Sequence, residues 1–218
     1  ALDKVPNEPL SKPRSSSQEE ADPVQKEPTE APNVPVLVAN LKAHFDLKQT
    51  KAWLKEVLSS EVLSSAKLKL AIASPAIFLE EITSELASTE IESKPEVISE
   101  DVSAFEEGAQ TGEIAASMLK GIASGTLIGH SERRNILHED ESTISEKIKR
   151  AINANLHIIL CVGGKSKELL SQKKEVKEQL SSALSNFNQE NLDLLTIAYE
   201  PVFAIGSGEV PTDEFLTA

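Results

Sequence analysis

From Pro35 onward, short apolar runs alternate with longer stretches in which apolar residues recur every three or four positions. The first run, Val36–Asn40 (VLVAN), reads as a buried strand ending in a polar residue. A helix follows, with Asp46 placed to cap it and Trp53, Leu54, Val57 and Leu58 at helical spacing. A second unit has a strand at Leu68–Ala73, then Pro75 at the start of a helix carrying Ile77, Phe78, Ile82 and Leu86. A third, weaker in pattern, has a strand at Glu96–Ser99, a loop through Phe105 and Gly112, and a helix at Ala115–Lys120. The fourth has a short strand at Thr126–Gly129, the polar cluster His130–Arg134, and a helix from about Ser142 to Asn153. In the fifth, strand His157–Val162 leads through Gly163 and Gly164 to a long helix with Leu169, Leu170, Val176, Leu180, Leu184 and Phe187 on one face. The sixth joins Leu194, Leu195, Ile197 and Ala198, a run suited to a strand buried on both faces, to Glu200 and a glycine-containing segment, with Thr212 placed to cap another helix.

Six strand-then-helix units in succession imply a parallel sheet covered by helices. Such a sheet either lies open and doubly wound or curls into a barrel, and periodicity alone does not choose. Asn40, Lys42, His130, Glu132 and Glu200 all fall just after strands. In a barrel those ends converge on one face.

Residues 1–34 differ from the rest: six prolines stand among Ser, Glu and Lys with almost no apolar residues, the composition of a disordered extension or linker. The ordered domain is therefore expected over 35–218, enough for one sizeable core. A formal charge of -13 and the lack of a Lys/Arg cluster argue against nucleic acid as a partner. No apolar run approaches the roughly 20 residues of a membrane span, and no secretory signal opens the chain. The single cysteine, Cys161, favours a reducing compartment such as the cytoplasm. The absence of an initiator methionine before Ala1 suggests a partial or processed sequence.

The chemistry-bearing residues admit two readings each. Desolvation poises a carboxylate beside an apolar run to take up protons, and Glu200 sits beside such a run; equally, it could be a capped strand end. Pro201 to Gly208 has the make-up of a hinged lid with a small apolar tip, or of an ordinary glycine turn. Lys42 is a charge-stabilising ammonium or an exposed strand-end lysine; His130 is an electrophile or a helix cap. Glu132, Arg133 and Arg134 read as a structural salt-bridge network, and Cys161 as a buried inert thiol. His44, His138 and His157 lack metal-ligand spacing, so no metal site is expected. Together, a carboxylate, an imidazole, an ammonium and a phosphate-binding backbone suit proton transfer between adjacent carbons of a small phosphorylated sugar, which needs no cofactor.

GHSERR (Gly129–Arg134) and AYEPVFAIGSG (Ala198–Gly208) closely resemble the two signature motifs of the triosephosphate isomerase family. NLK (Asn40–Lys42), EGAQTGEIAASMLK (Glu107–Lys120) and ILCVGG (Ile159–Gly164) echo it in the same order, so the resemblance spans about Val36 to Ala218. It implies a (β/α)8 TIM barrel that interconverts dihydroxyacetone phosphate and D-glyceraldehyde 3-phosphate in glycolysis and gluconeogenesis, as a homodimer. By position in the motifs, Glu200 resembles the catalytic base, His130 the electrophile and Lys42 the substrate-attracting lysine, with Asn40 beside it and Gly206 as the lid glycine that meets the phosphate. Thr111 resembles the tip of the loop that reaches into a neighbouring subunit.

There are departures. Leu41 and Ala43 replace the usual tryptophan and methionine around the lysine, and Phe203 the lid tryptophan; Gly164 stands where a glutamate is usual, so a charge partner of the GHSERR arginines is expected to be missing. Units seven and eight have no counterpart after Ala218, so the barrel is expected to be incomplete, about six of eight units, and the 218-residue chain unstable, aggregating or inactive alone. The alternative is a noncatalytic relative or fragment acting through protein contacts.

Overall fold

The computed structural model describes residues 34–60 and 68–217. The expected disordered extension over residues 1–34 falls, apart from its last residue, outside the described residues. Six parallel strands pair in sequence order: β1 (Val36–Asn40), β2 (Lys69–Ser74), β3 (Glu96–Ser99), β4 (Gly125–Ile128), β5 (His157–Val162) and β6 (Leu195–Tyr199). This order decides what periodicity could not: a doubly wound sheet reverses direction at a switch point, whereas here every strand lies beside its predecessor, the winding of a barrel. The sheet is an incomplete TIM barrel with β1 and β6 at its edges.

The helices are α1 (Leu47–Leu58), α2 (Ala76–Ala87), α3 (Ser131–Asn135), α4 (Glu141–Asn153), α5 (Leu169–Ala183) and α6 (Asp213–Thr217). Local chemistry sets several starts. Asp46 and Gln49 form a reciprocal capping box at α1, Asp140 accepts from the Thr143 amide at α4, and Thr212 Oγ1 accepts from the Phe215 amide at α6. Strand residues alternate between two cores. Leu70, Ile72, Val97, Ile128, Ile158, Leu160 and Val162 pack outward against Leu54, Leu79, Ile82, Ile144 and Ile148 of the helices. Ala71, Ala73, Ile98, Leu127 and Ile159, with Val38 and Ala198, form the smaller inner layer.

Several expectations need correction, β2 among them, which runs one residue later than Leu68–Ala73. The third unit carries a single 3-10 turn, Ala116–Leu119, in place of a helix. β6 is not buried on both faces: Ile197 and Tyr199 are exposed, because the strand is an edge paired only with β5. Leu170 and Ile77 point to solvent from the first turns of α5 and α2, leaving Phe78, Ile82, Leu86, Val176 and Leu180 to pack in the outer core. β4 ends at Ile128, one residue early, because Gly129 leaves the strand at a φ of 71° that suits glycine.

Candidate active site at the strand ends

The first cationic group is held by a strained turn. The buried Leu41 extends the β1–β2 ladder through its amide, which donates to the Ala73 carbonyl at 2.9 Å. The chain then turns, Asn40 Oδ1 accepting the Lys42 amide at 3.1 Å, and Lys42 takes a left-handed φ of 51°. That conformation costs a residue bearing a Cβ about 1–3 kcal/mol and persists where its surroundings hold it. The Asn40 side chain supplies that hold. The Lys42 ammonium donates to Glu132 Oε1 at 2.6 Å, which holds the Glu132 carboxyl below its ordinary range.

His130 caps α3, its Nδ1 accepting the Glu132 amide at 3.3 Å. This network assigns the ring proton to Nε2, which lies 3.0 Å from Glu200 Oε1. Ser131 completes the carboxylate's environment, its amide donating to Glu200 Oε2 at 2.9 Å and its hydroxyl to Oε1 at 3.3 Å. The expected cap is therefore present, and the same ring presents an N–H to a carboxylate.

The backbone of Glu200 is fixed by β5. Its amide donates to the Val162 carbonyl at 2.7 Å, and a Cβ on Gly163 would sit 1.8 Å from the Glu200 carbonyl oxygen, so only glycine permits this approach. Two buried amides of α5 clamp the glycine pair. Gln179 exchanges two hydrogen bonds with the Gly163 backbone at 2.9 and 3.0 Å, and Gln172 does the same with Gly164 at 3.0 and 2.7 Å, also reaching the Ser166 carbonyl. From Pro201 the chain leaves through a 3-10 turn, Val202–Ala204, whose Phe203 packs edge-on against Phe215 of α6. Gly206 is exposed at φ 72° and lies outside the Lys42–His130–Glu200 network.

A sequence model of triosephosphate isomerase matches residues 35–217 of this chain. Proteins named triosephosphate isomerase from Flavobacterium johnsoniae (32% identity; 82% of this chain, 71% of the relative) and Malacoplasma penetrans (33%; 81% and 70%) are similar to it. Another from Protochlamydia amoebophila is 34% identical over 80% of this chain and 65% of its own length.

The chain belongs to the triosephosphate isomerase family.

Gly164 does not leave the arginines unpaired. Arg134 pairs with Glu141 while donating to the Gly129 carbonyl at 2.6 Å and the Cys161 carbonyl at 3.2 Å, tying the ends of β4 and β5 to α4. Arg133 pairs with Glu139 and Asp101, which also hold the buried Lys147 at 2.5 and 2.7 Å. The space a side chain at Gly164 would take is filled by Glu175 of α5, whose Oε2 lies 2.1 Å from that Cβ position. Cys161 is buried, and burial, aided by the charge of Glu200, pushes its thiol up to about 12, as befits an inert group.

Asn40, Lys42, His130 and Glu132 line one cavity of about 240 Å³, and Glu200 with Ser131 lines an adjoining one of about 170 Å³. Larger cavities, beside Ile122 and beside Phe105, contain none of these residues. Among the described residues no group of three or more His, Cys, Asp or Glu is arranged to hold a metal ion, and no helix is long and apolar enough to cross a membrane.

Sequence reasoning missed five residues. Glu132, read as structural, is the partner of Lys42. Ser131 inside GHSERR gave a polar residue next to the histidine but nothing to link it to Glu200, 69 positions away. Gln172 and Gln179, seven apart on one helix face, carried no signal beyond that spacing. The fifth is Glu100, one residue past β3 and so at the same end of the sheet as the other groups. Its half-buried carboxyl lines the Lys42 cavity.

Proposed function

We propose that the protein is an aldose–ketose isomerase interconverting dihydroxyacetone phosphate and D-glyceraldehyde 3-phosphate through an enediolate, in the cytoplasm, as part of glycolysis and gluconeogenesis. The observation that carries this reading is the meeting of His130 Nε2 and Glu200 Oε1 at 3.0 Å, beside a lysine held in a strained turn. Glu200 takes a proton from the carbon next to the carbonyl and returns it to the neighbouring carbon. His130, with Nδ1 occupied as an acceptor, offers its Nε2–H to the substrate oxygens. Lys42 draws in the anionic substrate and balances the enediolate charge, after exchanging its contact with Glu132.

Glu200 must also leave the Ser131 donors before it can reach a carbon-bound proton. Closure of the segment from Pro201 to Gly208 would accompany that movement and bring the Gly206 amide to the phosphate. The exposed loop over residues 105–113, with Thr111 near its tip, supports assembly as a homodimer in which this loop reaches the neighbouring site.

A coupled assay of triose phosphate interconversion by the full-length protein tests the reading. Glu200→Gln, His130→Gln and Lys42→Met should each lower kcat/KM by about 10²-fold or more. Absence of turnover in the parent protein, or variants as active as the parent, would refute it.

A further inference from the structure

Lys42 is the cation on which capture of an anion depends, and two carboxylates share its surroundings. Glu132 pairs with it directly at 2.6 Å. Glu100, from the end of β3, lines the same cavity of about 240 Å³ as Asn40, Lys42, His130 and Glu132. Its Oε1 is buried and has no hydrogen-bond partner among the described residues. An ionised carboxylate in that position wants a cation, and Lys42 is the ammonium that shares its cavity.

We propose that Glu100 regulates the charge available for substrate capture. With its carboxyl neutral, Lys42 answers to Glu132 alone; with it ionised, two carboxylates compete with an anionic substrate for one ammonium. This deepens the isomerase reading of the same site and rests on it for the identity of the substrate.

The groups facing Glu100 set the direction of the effect. From the β1 turn come Lys42 and, near Glu132, His44; from α3 come His130, Glu132 and Arg133. Asp101, next in the chain, is engaged by Lys147 and Arg133, whose charges are shared with Glu139. Burial pushes the Glu100 carboxyl up to about 7; the Lys42 amide and ammonium pull it down, and Glu132 pushes it up. Below that pH the site carries one ionised carboxylate beside Lys42, and above it two. Affinity for an anion should therefore fall as pH rises through neutrality.

Sulfate is a suitable probe because its charge is constant from pH 5.5 to 9. Calorimetric titration of the full-length protein with sulfate across that range should show the dissociation constant rising about two- to fivefold, the size of one partly screened charge contact. Lys42→Met should abolish the binding, and Glu100→Gln should hold the low-pH affinity to pH 9. The KM for triose phosphate should lose the matching limb in Glu100→Gln relative to the parent, a comparison in which the substrate's own titration cancels. A Glu100→Gln profile that follows the parent, a parent profile without a limb, or no sulfate binding by the parent at pH 6 overturns the proposal. If the sulfate limb is present and Glu100-dependent while triose phosphate is not turned over, the isomerase reading fails and the role of Glu100 stands.

Discussion

Replacing Gly163 with alanine adds one methyl group, and it would land 1.8 Å from the carbonyl oxygen of Glu200. Ordinary contact requires a separation of about 3.5 Å, so the ends of β5 and β6 must part by about 1.7 Å. The obstacle is backbone, with no side-chain rotation to relieve it. The parting stretches the 2.7 Å bond from the Glu200 amide to the Val162 carbonyl and pulls against the two bonds by which Gln179 holds Gly163. Overpacking of this kind costs about 1–3 kcal/mol of stability. A displacement near 1 Å of a reacting group costs about 10²-fold in rate. The expected outcome for Gly163→Ala is thus a kcat about 10²-fold lower with KM little changed, measured in the coupled assay well below a Tm reduced by about 3–10 °C. Gly164→Ala is the control: its added Cβ meets the far end of the flexible Glu175 side chain, which can swing away, and comes 3.1 Å from Gln172 Oε1, a side-chain atom that need give only slightly, so kcat should stay within about threefold of the parent. A Gly163→Ala enzyme within threefold of the parent, or a Gly164→Ala enzyme equally impaired, would show that the β5 loop does not set the position of Glu200.

Other outcomes follow from single contacts. Lys147→Met leaves Asp101 and the nearly buried Glu139 without the ammonium they share and should cost about 3 kcal/mol, read as a lowered denaturant midpoint; an unchanged midpoint would contradict this. The raised Glu100 carboxyl keeps in the folded protein a proton that the unfolded chain releases above its ordinary value near 4.5. Its contribution therefore falls from about pH 4.5 to about pH 7 and is flat above. Glu100→Gln should remove that loss, gaining about 1–2 kcal/mol at pH 8 relative to pH 4.5 once screening of a half-exposed group is allowed for; equal slopes in parent and variant would contradict it. Cys161 should resist a thiol reagent at pH 8 in the folded protein and react on unfolding, and rapid labelling of the native chain would refute its burial.

The sheet was legible wherever a run of β-formers stood between unambiguous stops. β1 follows Pro35, β5 ends before a glycine pair, and both have the bounds their residues suggest. At Gly129 and Ser74 the boundary depends on one backbone angle or one pairing that composition does not reveal, and the strands shift by a residue. Ala115–Lys120 has helix-forming residues but closes only one 3-10 turn, after which Gly121 takes a left-handed φ of 78°. For the site, the signature motifs named His130 and Glu200 and the NLK echo named Lys42, and the structure links them through Glu132 at the ends of β1, β4 and β6. Their supports were hidden for a common reason. Glu132 sits in a charged string that looks like surface, Glu100 heads an acidic loop, and Gln172 and Gln179 are unremarkable in a polar helix. Each acts across the fold on a residue dozens of positions away or on a backbone group, and local pattern does not record such partners.

The central claim is that Glu200 moves a carbon-bound proton, and running the reaction in deuterium oxide tests it most directly. Dihydroxyacetone phosphate incubated with the full-length protein should yield glyceraldehyde 3-phosphate and acquire deuterium at the carbon next to the carbonyl, seen by proton NMR. Glu200→Gln should suppress both by about 10³-fold, the scale of a lost general base. Isomerisation or exchange that proceeds equally well without the Glu200 carboxylate, or neither with it, would contradict the claim.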